Sequence, residues 1–263
     1  MAPTRSPPPP WRHLFLGVPV DALDMPQTLA LVTDAIRTRR RLQHVAINTA
    51  KFVALQHDLE LRADVLNSDI VGVDGAGILL GARLFGIPIP ERVTGVDLMM
   101  EVLALCAREG WRPYLLGATP EVLAAAVARL RADHPDLALA GCRDGYFAPA
   151  EEEAVAAEIA ASGADCLFIG MPTPRKERFL ARHRDQLGVP FLMGVGGSID
   201  VLAGYVRRAP RWMQTSGLEW LFRVMQEPRR LWRRYLSSNL SYLAILVRAL
   251  LGRLPPSARR PNS

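Results

Sequence analysis

Asp74 and, eighteen positions on, Arg92 are the residues of this chain whose types and setting first suggest chemistry. Asp74 follows a short apolar run, Asp69-Ile70-Val71-Gly72-Val73. After it come Gly75-Ala76-Gly77 and then helical spacing through Ile78, Leu79, Leu80, Leu84 and Phe85. A strand that enters a glycine turn and then a helix puts its last residue at the mouth of a parallel sheet, where α/β proteins bind ligands. Arg92 lies in the charged turn Glu91-Arg92-Val93-Thr94-Gly95-Val96-Asp97, ahead of another helical pattern. A carboxylate and a guanidinium delivered by consecutive loops suit the activation of a hydroxyl and the holding of a phosphate. The same residue types also have plainer uses. Asp before a helix caps it, and Arg92 can pair with Glu91 or Asp97 on a solvated surface.

Other strand ends carry candidates of the same kind. Gln43–Asn48 reads as a strand, so Asn48 and Thr49 fall at its exit, where Asn stabilises a turn or bonds a ligand. Three further strand ends run into glycine: Gly117-Ala118-Thr119, Gly170-Met171-Pro172-Thr173, and Gly194-Val195-Gly196-Gly197-Ser198. Each sets backbone N–H groups at a helix N-terminus, the physical basis of pyrophosphate binding. None is a Walker A loop and no complete G-x-G-x-x-G is present. Three such loops on one sheet edge, with Asp74 and Arg92, favour a nucleotide-diphosphate cleft over turn chemistry alone.

The elements that must position these residues alternate. Leu14–Val20 reads as a first strand and Pro26–Arg37 as a helix. Strand and helix then alternate from Asp69 to Gly204, which predicts an α/β fold with a doubly wound, mostly parallel sheet of Rossmann type. The expected division is a Pro-rich tail over 1–13, an α/β core over 14–204, a helical appendage over 205–254 and a second tail over 255–263. At 263 residues, 49% apolar and 22% charged, the composition is that of an ordinary globular protein. Cys106, Cys142 and Cys166 lack metal-ligand spacing and read as buried thiols of a reducing compartment.

The net charge of +6 gathers towards the C-terminus. Arg207, Arg208, Arg211, Arg223, Arg229 and Arg230 alternate there with Trp212, Trp220, Phe222, Trp232 and Tyr235. Basic residues and tryptophans on a helical repeat suit a helix lying on an anionic bilayer. Arg–aromatic interleaving also serves nucleic-acid binders, but no recognition motif accompanies it, and no nucleic-acid partner is expected. No stretch reaches the ~18–20 apolar residues of a membrane span. A cytoplasmic or peripheral protein is the expectation, with homo-oligomerisation left open.

Taken in order, these segments resemble the WecG/TagA/CpsF family of bacterial glycosyltransferases (glycosyltransferase family 26). The resemblance is carried by Gly17-Val18-Pro19-Val20-Asp21, Ile47-Asn48-Thr49-Ala50, Asp74-Gly75-Ala76-Gly77 and Glu91-Arg92-Val93-Thr94-Gly95-Val96-Asp97-Leu98. It continues through Leu116-Gly117-Ala118, Asp144-Gly145-Tyr146-Phe147, Gly170-Met171-Pro172 with Glu177, and Gly194-Val195-Gly196-Gly197. Arg208-Ala209-Pro210, Gly217-Leu218-Glu219-Trp220 and Glu227-Pro228 complete it, over about Leu14 to Tyr235.

The resemblance implies an inverting hexosyltransferase that needs no metal or other cofactor. Its donor would be a UDP-sugar and its acceptor a polyprenyl-diphosphate-linked sugar, in cell-surface polysaccharide synthesis by a cytoplasmic protein peripheral on the inner face of the cell membrane. By the same likeness Asp74 matches the general base, Asn48 a substrate-pocket residue and Arg92 a residue of binding or catalysis. Thr49, Gly117, Gly170, Lys176, Glu177, Gly196 and Gly197 would line the substrate site. The tail arginines, Arg207, Arg208, Arg211, Arg223, Arg229 and Arg230, would meet the acceptor diphosphate and the membrane. Two positions depart from the family pattern: Ala46 stands where Thr is frequent, and Lys176 where Gln is usual. The extra charge of Lys176 leaves the donor open among N-acetylmannosamine, its uronic acid and glucose. A UDP-sugar-binding scaffold subunit without activity is the rival reading.

Overall fold

The computed structural model describes residues 9–252, the side chains of Arg230 and Arg234 excepted. Both expected tails therefore fall partly or wholly outside the described residues, as does the side chain of Arg230. Within them the apolar run at the start is two strands. β1 (Arg12–Phe15) and β2 (Val18–Asp21) pair antiparallel as a hairpin. Leu16 and Gly17 turn it with φ of 48° and 77°, the left-handed pair that a two-residue hairpin needs. The single strand expected over Leu14–Val20 is corrected accordingly. Strand structure also begins at Arg12, and Trp11 packs on the core, inside the segment expected to be a tail.

The helix α1 (Met25–Arg37) opens with an Asp24–Gln27 capping box. After it come β3 (Leu42–Ile47), α2 (Thr49–Ala54) and α3 (Leu59–Leu66). Next are β4 (Ile70–Val73), α4 (Ala76–Leu84), α5 (Gly95–Glu109), β5 (Pro113–Gly117) and α6 (Pro120–Asp133). The chain continues with β6 (Gly141–Arg143), α7 (Glu152–Ala161), β7 (Cys166–Gly170), α8 (Arg175–His183), β8 (Phe191–Gly194) and α9 (Ser198–Leu202). The last elements are α10 (Arg211–Thr215), α11 (Glu219–Gln226) and α12 (Pro228–Leu250).

β3 to β8 form one parallel sheet in the order β4-β3-β8-β7-β5-β6. Period-two alternation buries both faces. Leu115, Phe168, Phe191 and Met193 face α1, α5, α6 and α9, whereas Tyr114, Leu116, Leu167, Ile169 and Leu192 face α7 and α8. This is the doubly wound arrangement expected. The hairpin covers the edge at β4, where Asp21 Oδ2 accepts the Val71 N–H at 2.7 Å and pairs with Arg12 at the same distance.

The C-terminal segment has two characters. α12 is built into the core: Tyr242 stacks edge-on to Phe52 at 5.6 Å and donates to Gly77 O at 2.9 Å. α10 and α11 instead lie over the loops at the sheet edge. The expected burial is seen for Cys106 and Cys166, whose Sγ atoms lie 3.5 Å apart, but Cys142 is exposed. Its strand, β6, is a three-residue edge with only one neighbour.

Candidate active site

Because the six strands are parallel, every residue that follows a strand lies on one edge of the sheet. β5 continues outward through α6 to β6, while β7 turns back through α8 to β8. Connections that leave in opposite directions open a crevice between β5 and β7, the usual place for a nucleotide in an open α/β sheet. Gly117 and Gly170 end these strands as register partners. Gly117 has φ 129°, and a Cβ there would come within 2.7 Å of the Gly170 backbone, so only glycine leaves this approach open. Gly196 and Gly197 follow β8 on the same edge, two strands from Gly117.

Asp74 leaves β4 at the other end of that edge. It does not cap α4: Gly75 holds the cap position, with no side-chain bond. The Asp74 carboxylate instead faces the start of α5, where a Cβ on Gly95 would be 4.0 Å from Oδ2. Burial pushes its pKa above the usual carboxylate value, and Glu219 adds to the rise, while Arg92, Arg223 and Lys51 pull it down. It is thus a carboxylate held towards its protonated form by enclosure and kept in reach of ionisation by cations.

Arg92 pairs with neither Glu91 nor Asp97. Glu91 accepts from Met25 N at 2.6 Å. Arg92 reaches Asp74 O at 3.2 Å, Gln214 O at 3.0 Å and Glu219 Oε2 at 3.4 Å, tying the loop before α5 to α10 and α11. Arg208 completes the tie. It holds Asp97 with two bonds of 2.6 and 3.2 Å, Gln214 Oε1 at 2.9 Å, and lies 3.1 Å from Glu219 Oε1. Burial alone would raise the Asp97 carboxyl, but the bonds from Arg208 and Thr94 outweigh it and hold it below the ordinary range. Arg208 therefore serves the joint between appendage and core.

Between Asp74 and the β5/β7 crevice lies a buried ionic cluster. Lys51 and Lys176 approach Glu177 Oε1 at 2.8 and 2.9 Å, and Lys176 also bonds Thr173 Oγ1. Lys51 comes from α2 behind β3, Lys176 and Glu177 from α8 behind β7, and the Lys176 methylenes lie against Gly194 of β8. Burial would raise Glu177, yet the two ammoniums hold it at about 2. Two ammoniums thus meet one carboxylate oxygen behind the strand ends. Glu177 Oε2 is buried without a hydrogen bond.

The other expected residues divide. Asn48 caps α2, its Oδ1 accepting from Lys51 N at 3.0 Å. Thr49 donates to Asn239 Oδ1 of α12 at 3.2 Å, so its hydroxyl docks a helix. Arg207, Arg211 and Arg229 are exposed on the appendage, and Arg223 lies near enough to act on Asp74. Sequence reasoning passed over Lys51, Gln214 and Glu219 as site residues. A lysine amid the apolar Phe52, Val53 and Leu55 was the available signal for the first.

Two cavities flank this edge, and neither includes Asp74. One of about 440 Å³ lies between the start of α6 and β6, lined by Pro120, Leu123, Cys142, Arg143, Asp144 and Glu158. The other, about 430 Å³, is an apolar groove between α11 and α12, lined by Trp220, Trp232, Tyr235, Leu236, Leu240 and Leu243. No described helix is long and apolar enough to cross a membrane. Among the described residues no three His, Cys, Asp or Glu side chains group as metal ligands.

A family model described as glycosyl transferase, WecG/TagA/CpsF family, matches residues 13–255, nearly the whole chain. An α/β sheet with a strand-end carboxylate, a glycine-lined crevice and cations between them is a framework suited to that chemistry. The chain belongs to the WecG/TagA/CpsF family of glycosyltransferases, which act in cell-surface polysaccharide synthesis.

Proposed function

We propose that this protein transfers a hexose from a UDP-sugar to a sugar carried on a polyprenyl diphosphate, with inversion and without a metal ion. The observation that carries this reading is Asp74: a strand-end carboxylate that caps nothing, enclosed enough for its pKa to rise and flanked by arginines. In a single displacement Asp74 takes the proton of the acceptor hydroxyl. The hydroxyl oxygen bonds the anomeric carbon as the bond from that carbon to UDP breaks. A base tuned upward towards working pH suits this step.

The donor nucleoside would occupy the β5/β7 crevice at Gly117 and Gly170. From β7 to β4 is three strand spacings, roughly 14 Å, so the diphosphate would run across the ends of β8 and β3 and bring the anomeric carbon beside Asp74. Lys51 and Lys176 sit along that path, and their surplus positive charge supports the leaving UDP. Lys176 is also the position at which an acidic donor such as a uronic acid would be favoured over N-acetylmannosamine or glucose. The exposed Trp212, Trp220 and Trp232 beside Arg207, Arg211 and Arg229 support a peripheral seat on an anionic membrane at its cytoplasmic face, where the lipid acceptor lies.

The test is product formation from a panel of UDP-sugars with a polyprenyl-diphosphate-sugar analogue, in EDTA, for the wild type and Asp74→Asn together. Turnover with one donor, lost in the variant, is the expected result. UDP binding with no turnover from any donor would favour a scaffold role. Equal turnover in both proteins would remove Asp74 as the base.

A further inference from the structure

Arg92 and Arg208 reach the same place from opposite sides, one from the loop before α5 and the other from the segment before α10. Their partners there differ in quality. Asp97 grips Arg208 through both carboxylate oxygens at 2.6 and 3.2 Å, the fork geometry of a strong pair. Glu219 lies 3.4 Å from Arg92 Nη1, long for a hydrogen bond. It lies 3.1 Å from Arg208 Nε, yet that buried N–H has no hydrogen-bond partner, because the carboxylate is out of its line. Glu219 thus serves two guanidiniums with one long hydrogen bond to Arg92 and none to Arg208. A diphosphate carries more charge than a carboxylate, and its oxygens fan out to meet two forks at once.

We infer that Glu219 is an internal counter-anion which competes with a substrate diphosphate for the Arg92–Arg208 pair. The diphosphate is that of the transferase reading above, on which this inference rests. Glu219 is the first residue of α11, so its displacement frees the start of that helix from the Arg92–Arg208 pair. Asp97 keeps Arg208 in place throughout, which makes the exchange local.

The experiment is calorimetric titration of the full chain with inorganic pyrophosphate at fixed low salt. Glu219→Gln keeps the size of the side chain and removes its charge. It is expected to bind pyrophosphate about tenfold more tightly than the wild type, an ordinary coupling between two ligands of one site. Glu219→Asp, with a shorter reach, should give a smaller gain, and adding Arg208→Gln to Glu219→Gln should abolish the gain. Unchanged or weaker binding by Glu219→Gln would overturn the inference. Hydrogen exchange of the α11 amides separates the alternatives: a purely structural clasp would lose α11 protection and gain no affinity. Repeating the titrations with UDP and with a short prenyl diphosphate identifies the source, since only the true competitor shares the gain. A gain with neither compound would also overturn the inference. If no donor is ever turned over, the transferase reading falls while the pyrophosphate result still decides the role of Glu219.

Discussion

Two ionic networks flank the strand ends, and they are built to opposite specifications. The Lys51–Lys176–Glu177 cluster is sealed, with side chains 2–7% exposed and contacts of 2.8 and 2.9 Å. The Arg92–Arg208–Asp97–Glu219 network is shielded but wet, its Asp97 side chain 43% exposed, and its contacts range from 2.6 to 3.4 Å. Charge in a sealed place is costly to break because a lost partner leaves an ion with neither water nor counter-ion. Charge in a wet place is cheap to rearrange because water and salt replace what is lost. The first network therefore fixes the sheet edge, and the second joins a movable piece to it. Asp74 stands between them, influenced by Lys51 from one and by Arg92 and Glu219 from the other.

The largest expected effect lies at that meeting point. Asp74→Asn should lower turnover by ~10²–10⁴-fold, the range of a general base. It should also raise the melting temperature at neutral pH. A folded-state pKa raised above the unfolded value contributes stability below the unfolded pKa, and that stability is lost as pH rises through the folded one. At pH 7 the charged carboxylate therefore costs stability that Asn relieves. A variant both slower and less stable would mean that Asp74 is structural.

Next in size is Glu177→Gln, which strands two buried ammoniums and should cost about 3–5 kcal/mol in urea unfolding. The pH dependence follows with the opposite sign to that of Asp74. Glu177 is held at about 2 against an ordinary 4.5, so its stabilising share is complete above 4.5 and is lost as pH falls towards 2. In the variant the difference from wild type should shrink across that window. A constant difference down to pH 2 would contradict the sealed-cluster account. By contrast, Asp97→Asn should cost only about 1–2 kcal/mol, the worth of a charge-assisted bond in partial contact with water.

What was legible in the sequence follows the same division between local and distant. Asp74, Arg92 and the glycine loops could be placed because each is a strand end or the loop after one, and alternating strands and helices fix where such loops fall. The hairpin was missed because Leu16-Gly17 sits inside an apolar run and hides its turn. α3 was missed because its leucines do not share a face: Leu61 is buried and Leu59 is 74% exposed. β6 is only Gly141–Arg143, and the buried Leu137 before it belongs to a loop, so an apolar run there marks no strand. The pairings that define both networks join residues more than a hundred positions apart, Lys51 to Glu177 and Arg92 to Glu219. No periodicity encodes such a meeting. The strand order, which sets only β8 between β3 and β7, makes the first, and the fold-back of α11 onto the loop before α5 makes the second.

Salt should separate the two networks further. Raising sodium chloride from about 0.1 M to 1 M shortens the screening length from ~10 Å to ~3 Å. Hydrogen exchange in α11 should then quicken several-fold while α8, which carries Lys176 and Glu177, stays unchanged. Equal responses would mean that α11 is held by packing.

The smallest expected effect decides to which side α12 belongs. Its Tyr242 hydroxyl donates to Gly77 O at 2.9 Å, and its ring lies against Phe52 in the cluster that contains Phe15. Tyr242→Phe keeps the ring and removes one hydrogen bond, which should cost about 1 kcal/mol. If α12 is part of the core, this loss should add to that of Asp97→Asn, since the two share no partner. It should also leave the salt response of α11 as it was. A double variant that loses clearly more or less than the sum would tie α12 to the movable joint. α10 to α12 would then be one appendage, as the basic and aromatic sequence pattern first suggested. Additivity would instead confine the movable part to α10 and α11, the short stretch that brings Glu219 and Arg223 to Asp74.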